Sequence, residues 1–435
     1  MAKTKKQQYI KTRRHKKIKI GNSHPKSKSK TKKNKNKDTI IYLKNNTPLN
    51  NQLLAKEFIA PSSSNIFDNN IEINRSFSPE INNNLITMIS DNISNAPIAE
   101  CNNTSIMKQK QIATFKKHSD KSTKFLVNIG TTANPKCVDF DTVKAKEVLL
   151  EELAKSKHIN SANIIAPKQL YGNCWFNTMF MTFCVSDKGR KFFRFFRQLM
   201  IEGKTTAGKK IKNKLHRALF LFNLSIEACY NLGNKAITRD LANMLDTNNI
   251  IVNIWQAMPI KYRNIGIVDV DDANNPLDFY ESLIDYLGNS DISILKLNNN
   301  QLAHPYNFSQ EVVKQYFLKK NVKADVFIIE ISDRASHVME KQTSYEITVD
   351  GETIKYALDS IIIRDINKEH FCSMITCNKR EFGFDGASYS RLTSFKWKNK
   401  INKNLNWSFE YANNSPAFTW NFKSGYQILF YYRIK

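Results

Sequence analysis

Three features are absent from this 435-residue chain, and each absence excludes a class of protein. No apolar run approaches the ~18 residues that a membrane-spanning helix needs, so no insertion into a membrane is expected. No hydrophobic signal peptide opens the chain, and its seven scattered cysteines are an odd count, which favours a reducing, intracellular compartment. No pair of C-x-x-C motifs occurs, so we expect neither zinc fingers nor another metal or cofactor.

Acidic residues are also missing from residues 1–37, where sixteen Lys and Arg residues stand. This segment, which includes KTRRHKKIKI and KSKSKTKKNKNK, carries much of the net charge of +27. A polycation with so few apolar residues cannot bury enough surface to order its backbone, so residues 1–42 are predicted to be a disordered basic tail. Residues 1–37 would bind a polyanion such as nucleic acid or act as a nuclear-import signal, and the sequence does not choose between these roles.

Residues 43–137 are rich in Asn and Ser, which predicts a low-complexity linker. Parts of this linker could form short helices on the folded body. Aromatic and aliphatic residues become dense from residue 138, and the remaining length of about 300 residues is enough for a sizeable core. Residues 138–435 are therefore predicted to be the folded domain.

Within that domain, helical patterns come before strand patterns. VDFDTVKAKEVLLEELAKS has helical spacing, and DKGRKFFRFFRQLMIEGK carries a phenylalanine stripe opposite Arg190, Arg194 and Arg197. We expect these arginines to form a solvated basic face, unless they bind an acid or a nucleic acid. Short β-branched and aromatic runs follow: ADVFIIEIS, YEITVD, ALDSIIIRDI, HFCSMITC, EFGFDG and YQILFYYR. Helices first and antiparallel strands later predict an α+β fold.

One cysteine stands where a helix is predicted to begin. The stretch KQLYGNCWFNTMF, residues 168–180, places Cys174 after the flexible Gly172 and before the apolar helical pattern WFNTMFMTF. In the first turn of a helix, unpaired N–H groups and the helix dipole favour a thiolate, which is the nucleophilic form. Buried free cysteines are more often packing residues, as we expect of Cys184. This stretch alone leaves both interpretations of Cys174 open.

A cysteine nucleophile needs a base, normally a histidine, and a third group that orients the imidazole. Of the eight histidines in the chain, His370 opens a predicted strand. The others lie in the predicted tail and linker, in exposed Lys-rich helical surroundings, or in or beside polar turns: His15, His24, His118, His158, His216, His304 and His337.

Strand register supplies a partner for His370. If HFCSMIT and KREFGFDG fold back around Cys377 and Asn378, His370 directly faces Asp385 across a hairpin, and Cys372 faces Gly383. The opposite face of the hairpin is then apolar and faces the core: Phe371, Ile375, Phe382 and Phe384. Asp385 would fix the tautomer of His370 and stabilise its imidazolium, although a surface His–Asp pair gives the same pattern.

Together these stretches resemble the ubiquitin-specific protease family of papain-like deubiquitinases. GNCWFNTMF is similar to the family's cysteine box, YALDSIIIRDINKEHFCSMI to the strand that leads into its histidine box, FGFDGAS to its aspartate segment, and YQILFYYR to its closing strand. The resemblance covers about residues 140–435 and implies a papain-like fold, with a helical lobe that carries the cysteine and an antiparallel β lobe that carries the histidine and aspartate. It also implies a catalytic triad of Cys174, His370 and Asp385.

The cysteine box departs from the family pattern at two positions. Asn173 stands directly before Cys174, where a Thr or another small residue is usual, and Gln169 stands where the family has an Asn. A side-chain amide at that place donates to the oxyanion beside the Cys174 N–H, and Gln can do this as it does in papain-like enzymes. Gln169 is therefore the expected oxyanion donor.

The resemblance implies a thiol hydrolase that removes ubiquitin or a ubiquitin-like modifier from protein substrates. The boxes also resemble those of proteins from large nucleocytoplasmic DNA viruses such as mimiviruses, and the Asn-, Lys- and Ile-heavy text suggests an AT-rich genome. A viral chain of this kind would act in the host cytoplasm or nucleus, or be packaged in the virion. The alternative is a catalytically inactive, nucleic-acid-associated or ubiquitin-binding protein on a protease-like scaffold.

Overall fold

The computed structural model describes residues 41–43, 126–131, 134–155, 159–167, 169, 172–230, 247–263, 274–288, 292–298, 308–336, 339–368, 370–387, 392–409 and 418–434. All of them belong to one compact unit, residues 39–435. The predicted basic tail up to residue 40 and the predicted linker from 44 to 125 lie outside the described residues.

The fold mixes helices with a large sheet, as the sequence predicts. Most helices precede the strands of that sheet in the chain. In chain order they are α1 (Val143–Lys155), α2 (Cys174–Phe180), α3 (Asp187–Glu202), α4 (Asn213–Tyr230), α5 (Thr247–Ala257), α6 (Pro276–Leu287), α7 (Gln310–Lys320) and the short α8 (Asp333–Ser336). A π-helical turn, Met181–Val185, continues α2 towards α3.

Helix boundaries follow local capping chemistry. Ser186 precedes α3 and its hydroxyl accepts a hydrogen bond from the Gly189 N–H at 3.1 Å. Gly203 ends the same helix with φ of 72°, a left-handed conformation that glycine adopts without steric cost. Asn275 caps α6 in the same way as Ser186 caps α3, through the Leu277 N–H at 2.9 Å.

The basic face predicted on α3 is not fully solvated. Arg197 is only 3% exposed, and it lies between α3 and α4, where its Nε donates to Asn223 at 2.9 Å and its guanidinium pairs with Glu227. The prediction of a solvent-facing arginine row was therefore wrong at Arg197. The carboxylate that permits its burial belongs to another helix and is not part of the local pattern.

The strands number thirteen in the described residues: β1 (Ile41–Leu43), β2 (Leu126–Asn128), β3 (Cys137–Asp139), β4 (Ile294–Asn298), β5 (Val326–Ile331), β6 (Ser344–Val349), β7 (Glu352–Arg364), β8 (Phe371–Cys377), β9 (Arg380–Phe384), β10 (Thr393–Ser394), β11 (Asn406–Phe409), β12 (Trp420–Asn421) and β13 (Gln427–Arg433). Eight of them form one sheet in the order β10-β9-β8-β7-β13-β5-β4, with β6 paired to β7. Its pairs are antiparallel except β4 with β5.

Two small sheets lie outside this order. β2 pairs with β3, and Val127 of β2 is buried in a cluster with residues of α1 and α4. The folded unit thus includes residues before the predicted boundary at 138. β1 pairs in parallel with β11, which also pairs with β12, so residues 41–43 add a strand from within the segment predicted as tail and linker.

Both faces of the large sheet are buried at β5, β8 and β13, which explains their nearly continuous apolar sequences, whereas β6 buries only alternate residues. On β13, Phe430 and Tyr432 lie in the core shared with the helices, whereas Leu429 and Tyr431 lie in a second core on the opposite face. The second core also contains residues of α7, β6, β11 and β12. The expectation of a hairpin with a single apolar face was therefore incomplete, since Cys372 and Met374 of β8 are buried on the second side.

Candidate active site

Cys174 is the first residue of α2, as the sequence predicts. The side chain is 8% exposed, and every residue of the helix is buried. The preceding Asn173 has φ of −90° and ψ of 21°, and its carbonyl accepts from the N–H groups of Phe176 and Asn177 at 3.1 Å each. The helix start therefore holds the thiol and its own backbone N–H at a fixed end of a buried element.

A cleft of about 350 Å³ reaches the thiol. On the helical side it is lined by Cys174, Trp175, Gly172 and Gln169. The remaining lining residues directly precede α6, or belong to or flank strands β7, β8 and β13: Asn274, Asn275, Arg364, Lys368, Phe371 and Tyr426. A nearly buried thiol is therefore accessible from one side, between the helices and the sheet.

His370 and Asp385 are brought together by the strands that carry them. The His370 Nε2 lies 2.5 Å from the Asp385 Oδ1, and the two residues are 2% and 1% exposed. Asp385 also accepts a hydrogen bond from the Ala387 N–H at 3.0 Å. A short, buried, charge-assisted hydrogen bond of this kind holds the imidazole in one orientation.

The proton on His370 is strongly held. Burial by itself lowers the pKa of an imidazole, but at His370 the hydrogen bonds to Asp385 and Cys174, together with the negative charges of those groups, outweigh burial. They raise the pKa of His370 from 6.5 to about 10. Since Asp385 occupies Nε2, Nδ1 is the nitrogen left for the Cys174 sulfur. His370 therefore carries its proton at neutral pH.

The hairpin register differs from the predicted one by two residues. Asn378 and Lys379 have φ of 50° and 59°, which is typical of a two-residue type I′ turn. As a result Met374, not Cys372, pairs with Gly383. The prediction that His370 directly faces Asp385 was wrong. A shift of two residues keeps each side chain on its face, and the two residues are diagonal neighbours, which long side chains can bridge.

The apolar face of the hairpin lies where the sequence places it. Its four predicted members are buried in the core shared with the helices: Phe371, Ile375, Phe382 and Phe384. This face packs the hairpin against α2 and its π-helical continuation, so it brings the end of the hairpin to the start of the Cys174 helix.

Two further residues hold His370 and were not found from the sequence. Asp365 is fully buried, and its carboxylate accepts from the backbone N–H of His370 at 2.7 Å and of Asn367 at 3.0 Å. Phe418 stacks on the imidazole with ring centroids 4.3 Å apart. The Asp-x-Asn turn at residues 365–367 is a local signal that could have indicated the role of Asp365. Phe418 is distant in sequence and left no such signal.

Gln169 lies beside both halves of the site. Its backbone N–H donates to the Gly386 carbonyl at 3.0 Å, and the residue lines the cleft with Cys174. The structure thus brings Gln169 next to the segment that follows Asp385. The donation of its side-chain amide to an oxyanion stays a prediction.

His216 is the other histidine in the described residues, and it lies away from Cys174 and Asp385. His216, predicted to be exposed, is 3% exposed, and its Nδ1 lies 3.5 Å from Asp141. Burial, opposed by Asp141, lowers its pKa. The packing of α4 against Phe140 covers a residue that its Lys-rich neighbours mark as surface. Six other histidines, which the sequence analysis set aside as candidates for the base, lie outside the described residues: His15, His24, His118, His158, His304 and His337.

Four other free cysteines are buried: Cys184, Cys229, Cys372 and Cys377. Burial raises the pKa of each of these thiols, so they are poor nucleophiles. Cys184 is thus a packing residue, as expected. Cys137 differs from the expectation of reduced thiols, because it is disulfide-bonded.

No group of three or more His, Cys, Asp or Glu side chains is placed to hold a metal ion in the described part of the chain. Within the same residues, no helix has the length and apolar character needed to cross a membrane.

Comparisons with known proteins give only weak structural similarity. No family model and no curated protein matches the sequence. Among solved structures, the SAGA DUB module of Ubp8, Sgf11, Sus1 and Sgf73 bound to monoubiquitin matches with 9% identity and a TM-score of 0.38, over 81% of this chain and 96% of that chain.

The same module bound to ubiquitin aldehyde gives 10% identity and a TM-score of 0.37, over 63% of this chain and 70% of that one. The yeast module with a substituted Sgf73 gives 10% identity and a TM-score of 0.29, over 63% and 69%. Overlap of this degree is too low to assign a fold family or an activity to the chain.

Proposed function

We propose that the protein is a cysteine-dependent hydrolase of papain-like architecture that cleaves ubiquitin or a ubiquitin-like modifier from lysine side chains. One observation carries the proposal. The buried His370 imidazole is hydrogen-bonded to Asp385 and lies near enough to Cys174 for that residue to raise its pKa, at a helix start that opens into a cleft. Nucleophile, base and orienting group therefore stand in the order that thiol acyl transfer requires.

The first half of the reaction forms a thioester. With the proton already on His370, the Cys174 sulfur attacks as a thiolate the carbonyl carbon of the modifier's terminal residue. The carbonyl oxygen becomes an oxyanion, which the Cys174 N–H and the Gln169 side chain stabilise. When the tetrahedral intermediate collapses, the C–N bond breaks, and the imidazolium gives its proton to the leaving lysine amine.

The second half hydrolyses that thioester. His370, now neutral, accepts a proton from a water molecule as the water attacks the thioester carbonyl. A second oxyanion forms in the same place, the C–S bond breaks, and the modifier leaves as a carboxylic acid, which loses its remaining proton to solvent. Cys174 is thereby freed beside a protonated His370, and Asp385 holds the imidazole in place throughout.

The direct test is reaction with ubiquitin that carries a C-terminal electrophile. We expect a covalent adduct on wild-type protein and none on Cys174→Ser, with intact mass confirming one ubiquitin per chain. A well-characterised deubiquitinase is labelled in parallel. A wild-type protein that stays unlabelled while the control enzyme reacts would contradict the activity on ubiquitin. Electrophiles built on ubiquitin-like modifiers then distinguish a different modifier from the non-catalytic alternative.

A further inference from the structure

The residue before the nucleophile is tied to a different helix. Asn173 is fully buried, and its Nδ2 donates to the Thr247 hydroxyl at 2.7 Å. That hydroxyl in turn donates to the Asn177 Oδ1 at 2.9 Å. One hydroxyl at the start of α5 thus joins the two side chains that flank the first turn of α2.

These hydrogen bonds are shielded from water. Thr247 is 1% exposed, and Asn177 is fully buried. Buried hydrogen bonds between neutral groups act in a low local dielectric, and loss of one partner leaves the others with an uncompensated desolvation cost. The link between α2 and α5 is therefore firm, unlike a solvated surface bond.

Asn173 uses its side chain for this link in place of a helix cap. Its side chain makes no capping hydrogen bond, while its carbonyl accepts from two helical N–H groups. The peptide between Asn173 and Cys174 contains that carbonyl and the Cys174 N–H in a single plane. With the side chain held by Thr247 and the carbonyl held by the helix, the direction of the Cys174 N–H is set on both sides.

The same cluster touches the segment that carries the aspartate. A Cβ added at Gly386 would lie 3.3 Å from the Gln169 Cβ and 3.5 Å from the Asn177 Nδ2. Asn177 therefore packs against the backbone that directly follows Asp385. Movement at the start of α2 would therefore displace Gln169 and Gly386 as well as Cys174.

We propose that Thr247 is a positioning residue, which aims the Cys174 backbone N–H at the oxyanion through Asn173 and Asn177. The inference rests on the proposed thiol chemistry of Cys174, but not on the identity of the modifier. An oxyanion donor works only at hydrogen-bonding distance from the developing charge, so a small rotation of this peptide slows acyl transfer and leaves the thiolate itself intact.

Two small reagents separate these effects. The thiolate attacks p-nitrophenyl acetate through a tetrahedral oxyanion, which forms an acetyl thioester and releases p-nitrophenolate. It displaces iodide from iodoacetamide in one step, without an oxyanion. In the full-length Thr247→Val variant we expect acetylation of Cys174 to be about 10- to 100-fold slower, and alkylation to stay within about threefold of wild type. Cys174→Ser gives the background from other nucleophiles.

Matched variants control for packing. Thr247→Ser keeps the hydroxyl and should acetylate at nearly the wild-type rate. Thr182→Val makes the same substitution at a fully buried threonine, whose hydroxyl has no hydrogen-bond partner among the described residues, and should also behave as wild type. If Thr247→Val does not fold, judged by circular dichroism, Thr247→Ala makes the same test.

Each contrary outcome points to a different error. Equal acetylation of wild type and Thr247→Val overturns the positioning role, and so does a parallel fall in acetylation and alkylation, which a general packing defect would cause. A wild-type protein whose Cys174 reacts with neither reagent overturns the thiol chemistry, and the positioning role with it.

Discussion

At the scale of single residues, Asp385 is the group on which the proton balance of the site depends. Its carboxylate gives the strongest of the interactions that raise the pKa of His370 against the effect of burial. Without that carboxylate, only Cys174 would oppose the effect of burial, which lowers the pKa of His370. A neutral imidazole beside a thiol is a weaker starting point for acyl transfer than a thiolate–imidazolium pair.

Asp385→Asn is therefore expected to lower the rate and to move its pH dependence. The wild-type rate should fall on the alkaline side near pH 10, where the His370 imidazolium loses its proton. Because the substitution lowers the pKa of His370, that alkaline limb should move to lower pH. Acetylation rates of Cys174 from pH 6 to about 10.5 measure the shift. An unchanged limb would remove Asp385 from the proton balance.

Phe418→Leu tests the aromatic ring that stacks on His370. An aromatic face attracts a cation by about 0.5–2 kcal/mol, so the loss of the ring should lower the pKa of His370 by about 0.4 to 1.5 units. The alkaline limb should thus move in the same direction as in Asp385→Asn, but by less. Phe418→Tyr keeps the aromatic face and should keep the wild-type limb; if both variants shift alike, the ring acts only through packing.

At the scale of elements, two aspartates, Asp187 in the first turn of α3 and Asp359 beside that turn, have different roles. Asp187 accepts from the backbone N–H groups of Asn378 and Lys379 at 2.8 Å each and pairs with Arg190, so it clamps the turn of the His370 hairpin. Asp359 lies on β7 where the ladder with β13 is bulged, and burial is the main cause that raises its pKa to about 6.

Asp187→Asn should destabilise the fold. A carboxylate that accepts two backbone N–H groups is replaced by an amide with one accepting oxygen, so we expect a loss of about 1–3 kcal/mol in the free energy of unfolding. Urea unfolding at pH 7.5 measures the loss. Faster hydrogen exchange at the amides of Asn378 and Lys379 would locate it in the turn, whereas unchanged exchange there would contradict the clamp.

Asp359→Asn should have the opposite effect. The folded-state pKa of Asp359 is raised from 3.8 to about 6, so its ionisation above that pH destabilises the fold. The amide carries no charge, and we expect a gain of about 1–3 kcal/mol at pH 7.5. The gain should shrink as pH falls through 6 towards 4. Urea unfolding at both ends of this range checks the sign, and a loss at pH 7.5 would show that the carboxylate is needed as an acceptor.

The sequence predicted helices and strands better than the contacts between them. The strands of the large sheet, the start of α2 and the two faces of the His370 hairpin follow from period-two and helical patterns, which are local. The burial of Arg197 and His216 was missed because each depends on a residue from another element, Glu227 and Phe140 respectively. Thr247 was missed for the same reason, since it is separated from Asn173 by 74 residues.

At the scale of the whole molecule, a sheet buried on both faces connects the helices to a second core. β7, β8 and β13 contribute alternate side chains to the two cores. A substitution that alters the packing of one core therefore shifts strands that also form the other. The cleft lies where the helices meet this sheet. Cys174, Trp175, Arg364 and Phe371 in its lining belong to helices and strands of this packed body.

Removal of residues 1–37 should separate the basic tail from the chemistry at Cys174. These residues lie outside the described part of the chain and hold sixteen basic side chains. We expect the truncated protein to acetylate Cys174 at the wild-type rate and to lose salt-sensitive binding to duplex DNA. Titration at several salt concentrations measures the binding. DNA binding that survives truncation would place the nucleic-acid contact elsewhere.

The two-residue turn at Asn378 and Lys379 also restricts how this chain can change in length. Inserting or deleting one residue there would exchange the two faces of β9 relative to β8, and would send the Asp385 carboxylate away from His370. A change of two residues preserves the faces. Related chains that keep the pair should therefore differ in this hairpin by even numbers of residues, and an odd change should occur only with a compensating bulge in one of the strands.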